Sequence, residues 1–149
     1  IGLRVNDREE AISVLAALLL GKGNVAPEFL AAVLQREKEF PTGLPTQGMP
    51  IALPHTEARH VHKSSMAIGI LERPVLFREM GSPDREIPVS AIFLLAIADH
   101  DSQVLALQQL ADLFQDGSTL ARLAVAHEES QVHAALLEGT RRLQQKGSA

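Results

Sequence analysis

Two hydrophobic periods run along this chain, and the change from one to the other separates helical ends from an extended middle. Near the start, Ile12, Leu15 and Leu19 recur at the three- and four-residue intervals of one helix face. Asp7 stands before them with Glu10 three residues on, an acidic pair suited to the free amides of a helix's first turn. Gly21-Lys22-Gly23 ends that helix. A second opens at Pro27, a first-turn position where the missing N–H is not needed. Leu30, Val33 and Leu34 form its apolar stripe, and Arg36 and Glu37, close to its end, are expected to project outward. Pro41, Gly43 and Pro45 then break the helical pattern.

The middle of the chain reads as short strands. "PIAL" is one, stopped by Pro54, and Ser65 to Leu71 is another. "PVLF" adds an edge strand, and "SPDRE" reads as a turn. "IPVSAIFLLAIA" is apolar at nearly every position, as a strand buried on both faces must be. Helical spacing returns at Val104, Leu107, Ala111 and Phe114, with a stop at Asp116-Gly117. Leu120 and Leu123 suit a short helix, and a last one covers about Glu128 to Leu137. Residues 141–149, "RRLQQKGSA", are expected to be a flexible tail. Helices on either side of a strand block predict a three-layer α/β/α sandwich around a mixed sheet, with function carried by loops at the strand ends. At 149 residues this makes one domain, its core spanning about 7 to 137.

Composition narrows the chemistry. Hydrophobic residues make up 46% of the chain, which excludes disorder, while five Phe with no Trp or Tyr leave Leu, Ile, Val and Ala to build the core. A net charge of −4 without a basic run offers no footprint for nucleic acid. The absence of cysteine removes disulfides and thiolate chemistry together and suits a reducing cytoplasm. The apolar runs "VLAALLL" and "VSAIFLLAIA" fall short of the roughly 20 residues of a membrane helix, so no membrane insertion is expected. A start at Ile1 rather than Met leaves a preceding targeting segment open.

Three of the six histidines lie between Phe40 and His62, with four of the eight prolines. His55 ends an apolar strand between Pro54 and Thr56, where the proline ring fixes its own φ and holds Leu53 extended. Such an imidazole has three readings. It can be a structural residue satisfied by backbone groups, which is the better reading for His127 and His133. It can ligate zinc with His60 and His62 in a hydrolase, although those two, two positions apart, share a face only in an extended segment and no second shell can be named. Or it can be a nucleophile, because neutral imidazole attacks phosphorus at neutral pH and needs only donors for the phosphoryl oxygens. Arg36 supplies the planar fork suited to such oxygens, and Thr42, Gly43 and Thr56 supply hydroxyls and loop amides nearby in sequence. Residue types place this reading ahead of the other two, with no metal or cofactor required.

The ordered features "REKEFPTGL", "IALPHT", "PVLFREMG" and "VSAIFLLAIADHDSQVLALQQLADLFQD" resemble the enzyme IIA component of the sugar phosphotransferase system, in its fructose/mannitol class and galactitol-like subgroup. The resemblance runs from about Asp7 to Leu137. It implies a mixed five-stranded sheet and a cytoplasmic phosphocarrier. The histidine matching His55 accepts a phosphoryl group from the carrier HPr and passes it to a cysteine of enzyme IIB, which works with membrane enzyme IIC. The family's phosphate-steadying arginine falls on Arg36. Its second active-site histidine falls on His100, or one place later on Asp101, where an ionised carboxylate would repel phosphate. The resemblance admits two roles, sugar transport and a regulatory module whose phosphorylation switches binding to another protein. Leu44, Met49 and Leu53 are candidates for a docking patch around His55.

Overall fold

The computed structural model describes residues 1–115 and 117–148, so the part of the predicted helix stop that falls on Asp116 lies outside the described residues. Helix α1 (Arg8–Gly21) begins where the acidic pair predicts: the Asp7 carboxylate accepts the Glu10 amide at 2.8 Å, and the Glu10 carboxylate accepts the Asn6 amide at 2.8 Å. Its buried face is Ala11, Ile12, Leu15, Ala16 and Leu19. Helix α2 (Phe29–Glu39) starts two residues after Pro27 and ends against Pro41. Phe29, Val33 and Glu37, spaced by four, are its buried residues. Glu37 therefore does not project outward; it occupies the next turn of the apolar stripe.

Four strands carry the sheet: β1 (Gly43–Leu44), β2 (Ile51–Ala52), β3 (Ser65–Glu79) and β4 (Ser82–Ala96). β3 and β4 form one long antiparallel ribbon, from Ser65 opposite Ala96 to Glu79 opposite Ser82. The predicted strand from Ser65 and the "PVLF" edge strand are thus one element. The break between them is a register shift between Ile70 and Val75, at Pro74, which has no N–H for the ladder. "SPDRE" is not a turn but the start of β4. The chain reverses one step earlier, at Met80-Gly81, where Gly81 takes a left-handed φ of 77°. β2 runs parallel to β4 through Ile51–Ala91 and Ala52–Ile92, and β1 lies antiparallel to β2. A single parallel pairing of Gly43 with Glu79 closes the circuit β1–β2–β4–β3. The strand total among the described residues is four, against the five that the family resemblance implies.

β4 explains why its sequence is almost continuously apolar. Ile92, Leu94 and Ala96 face one cluster with α1 and α2, while Ala91, Phe93 and Leu95 face a second with the C-terminal helices. Those helices are α3 (His100–Leu113), α4 (Ser118–Ala124) and α5 (Glu129–Gly147). Phe93 meets Phe114 at a ring separation of 4.8 Å, a contact worth about 1 kcal/mol beyond the area it buries. Three layers follow, as the period changes predict, and the α/β class stands.

α3 departs from the predicted stripe. Val104 is exposed, as is Ala111; Gln103 and Leu113 are its buried residues, with Leu107 and Leu110 packed on the core. The last helix also continues past its predicted end at Leu137, through most of the expected tail 141–149, whose final residue, Ala149, lies outside the described residues. α5 runs to Gly147, Leu143 packs on the second cluster, and Arg142 donates to the Ser118 hydroxyl and to Glu138. Among the described residues, no helix is long and apolar enough to cross a membrane.

Candidate active site

β1 and β2 bring the end of α2 against the strand that leads to His55. Gly43 makes this approach possible. A Cβ there would lie 2.6 Å from the Arg78 carbonyl oxygen, and the Gly43 carbonyl itself accepts the Met80 amide at 2.8 Å. Its backbone belongs to the sheet rather than to an open phosphate loop. Gly43→Ala is expected to lower the unfolding free energy by about 1–3 kcal/mol, because backbone, not a side-chain tip, must move. Urea melts measure this, and an unchanged midpoint would show that the strand crossing has slack.

Past β2 the chain stays tied to β4, since the Leu95 amide donates to the Pro54 carbonyl at 3.0 Å. His55 follows, buried, with 8% of its surface exposed. Its Nδ1 lies 2.8 Å from the Leu53 carbonyl oxygen. A carbonyl can only accept, so Nδ1 carries the hydrogen and Nε2 holds the lone pair. Burial lowers the ring's proton affinity, the Leu53 hydrogen bond opposes that effect, and the nearby Arg36 guanidinium lowers it further. The ring is therefore neutral at pH 7, with its basic nitrogen fixed as Nε2.

Arg36 is half-buried, its guanidinium 5.2 Å from the centre of the Phe40 ring. Its Nε is buried and has no hydrogen-bond partner among the described residues. A buried donor left in this way calls for an explanation, and an incoming anion is one. Thr56 is buried too, and its carbonyl accepts the Gln103 side chain at 2.6 Å. That bond ties the first turn of α3 to the loop after His55.

Thr42 is committed elsewhere. Its amide and hydroxyl donate to the Glu37 carboxylate at 3.0 and 2.9 Å, while its hydroxyl oxygen accepts the Leu53 amide at 3.2 Å. Its one O–H points to Glu37, not to a phosphoryl oxygen. His100 is the first residue of α3 and exposed, three residues from Gln103 and so on the same side of the helix; Asp101, also exposed, is turned away from that side. Leu53 is core, at 2% exposure, while Leu44 and Met49 are half-buried and pack on the second cluster. His60 is half-buried, while His62, His127 and His133 are exposed. Among the described residues, no group of three His, Asp or Glu side chains is placed to hold a metal ion.

Glu37 and Gln103 are the two residues that a reading of side-chain chemistry passes over. For Glu37 the signal was positional: it stands four residues after Val33, on the stripe that Phe29 begins. Burial pushes its pKa up to about 7, against the two Thr42 donors and the charge of Arg8. In the unfolded chain it titrates near 4.5. The folded state thus binds more protons between about 4.5 and about 7, and Glu37's contribution to stability falls as pH rises across that interval. His55 acts in the opposite sense, its stability contribution rising with pH up to 6.5. Comparison with Glu37→Gln isolates the carboxyl. The variant's stability relative to the parent is expected to grow as pH rises through that window, and parallel urea midpoints across it would contradict the assignment.

The architecture and its neighbours define a class. The mannitol IIA protein of Escherichia coli, solved in complex with phosphorylated enzyme IIB, superposes with a TM-score of 0.74 at 26% identity, covering 93% of this chain and 92% of that one. This is the α/β fold of sugar-phosphotransferase components.

The particular family follows from the sequence: residues 1–139 match the family described as "Phosphoenolpyruvate-dependent sugar phosphotransferase system, EIIA 2", and the chain belongs to it. The galactitol-specific EIIA component of Escherichia coli K12 is 30% identical over 129 residues, 85% of this chain and 84% of that protein. The transcriptional regulator ManR of Bacillus subtilis is 32% identical over 106 residues, 71% of this chain but 15% of the regulator. As a member of this family the chain is a phosphotransferase component with a IIA role.

Proposed function

We propose that this chain is a cytoplasmic phosphocarrier in which Nε2 of His55 takes a phosphoryl group from the phosphohistidine of HPr and passes it to a cysteine of enzyme IIB, which works with a membrane enzyme IIC. The observation that carries this reading is the 2.8 Å contact of His55 Nδ1 with the Leu53 carbonyl, since it leaves Nε2 as the nitrogen with a free electron pair. That pair forms the new N–P bond as the HPr nitrogen–phosphorus bond breaks, and the electrons of the broken bond return to HPr's imidazole. His55 keeps its Nδ1 hydrogen throughout. In the second transfer the cysteine sulfur attacks phosphorus and Nε2 leaves with the pair it brought. Arg36 and the Thr56 hydroxyl are the donors we assign to the equatorial oxygens. His100, exposed at the start of α3, is a further donor we assign to a bound partner.

Intact-mass measurement tests the carrier role. After incubation with phosphoenolpyruvate, enzyme I and HPr the chain is expected to gain one acid-labile phosphoryl group, then lose it when the cognate enzyme IIB is added. No gain from phospho-HPr would overturn the proposal. ManR's similarity keeps a regulatory role as a second reading. A partner that selects the phosphorylated or unphosphorylated form without receiving phosphate would establish that role instead.

A further inference from the structure

We propose that Glu37 is a positioning residue for His55, acting through a hydrogen-bond chain of Thr42 and Leu53 that sets which imidazole nitrogen carries the hydrogen. The inference rests on the phosphocarrier reading, but it has a readout that does not depend on phosphoryl transfer. Four contacts make the chain. Thr42 gives its amide to one Glu37 oxygen at 3.0 Å and its hydroxyl to the other at 2.9 Å. The same hydroxyl oxygen accepts the Leu53 amide at 3.2 Å, a hydrogen shared with the Thr42 carbonyl at 3.4 Å. The Leu53 carbonyl then takes the His55 Nδ1 hydrogen at 2.8 Å. Leu53 is thus held at its N–H by Thr42 and holds the ring at its C=O.

Each member is buried: Glu37 at 7%, Thr42 at 3%, Leu53 at 2% and His55 at 8% exposure. A hydroxyl has one hydrogen, so its direction is decided by the better acceptor, and a carboxylate outranks every other group in reach. With that hydrogen drawn to Glu37, a lone pair of the hydroxyl is aimed at the Leu53 amide. Protonation of Glu37 leaves one carbonyl oxygen and one poorly accepting hydroxyl oxygen for two Thr42 donors, and the alignment loosens.

The charged groups around Glu37 come from three elements. Arg8 and Glu9 of α1, Lys38 of α2 and Arg78 of β3 line with it a cavity of about 210 Å³. Of these, Arg8 favours the ionised form, against the burial that raises the pKa to about 7. The chain is therefore set at alkaline pH and relaxed at acid pH, which is a reason for a carboxyl, rather than an apolar residue, to complete the Phe29–Val33 stripe.

The test is ¹⁵N NMR of the His55 ring, together with the pH profile of phosphoryl uptake from phospho-HPr. In the parent protein the ring is expected as the Nδ1–H tautomer above pH 7. In Glu37→Gln the amide oxygen replaces only one acceptor, so the tautomer population shifts toward Nε2–H. Uptake slows by about 10-fold, and its pH dependence near 7 flattens. Thr42→Val cuts the chain at the hydroxyl and is expected to show the same shift in folded protein, while Thr42→Ser keeps the Nδ1–H signature. Parent-like ¹⁵N shifts in both Glu37→Gln and Thr42→Val would overturn the proposal. Parent protein that shows the tautomer but takes up no phosphate would instead overturn the carrier reading and leave the chain standing.

Discussion

His55→Ala is expected to abolish phosphoryl uptake from phospho-HPr, not merely to slow it. No other described imidazole shares its setting, in which a carbonyl fixes the hydrogen on Nδ1 and a guanidinium lies close by. Because burial keeps the ring neutral, its removal strips no charge from the core, and α1 and the β3–β4 ribbon do not depend on it. Circular dichroism should therefore match the parent while labelling is lost. Parent-level labelling of the variant would remove His55 from the mechanism.

The second large effect belongs to Arg36. Its half-buried guanidinium, stacked 5.2 Å from the Phe40 ring, carries a buried Nε without a partner among the described residues. On the proposed role, truncation to Ala removes the donors assigned to transition-state charge and is expected to slow uptake by on the order of 100-fold, or about 2.7 kcal/mol in the barrier. Arg36→Lys retains the charge but not the fork, and should cost at least about tenfold, some 1.4 kcal/mol. Rapid-quench kinetics with labelled HPr separate these cases. Equal rates for parent and Lys variant would reduce Arg36 to a point charge, and parent-like rates for Ala would remove it from the site.

Much of the scaffold was written in local spacing. The Asp7–Glu10 cap, the face of α1 and the doubly buried β4 follow from rules that act within a few residues. Contacts set by distant residues were less legible. Nothing near Gly43 announces that it lies against Arg78, thirty-five positions on, and reads as sheet rather than phosphate loop. "SPDRE" has turn composition, but pairing with β3 captures it as strand. Val104 looks apolar and is exposed, whereas Gln103 looks polar and is buried, because a backbone carbonyl of the His55 loop awaits its amide. Glu37 is the instructive case. Chemistry says surface and periodicity says core; the structure follows periodicity, with Thr42 supplying the donors that a buried carboxylate requires.

The most direct measurement is the site of the phosphate itself. Phosphorylated protein, digested at neutral pH and sequenced by mass spectrometry, should carry the group on the peptide containing His55, and ¹⁵N–³¹P coupling should place phosphorus on Nε2. Phosphate on another residue, or on Nδ1 of His55, would contradict the account at its root.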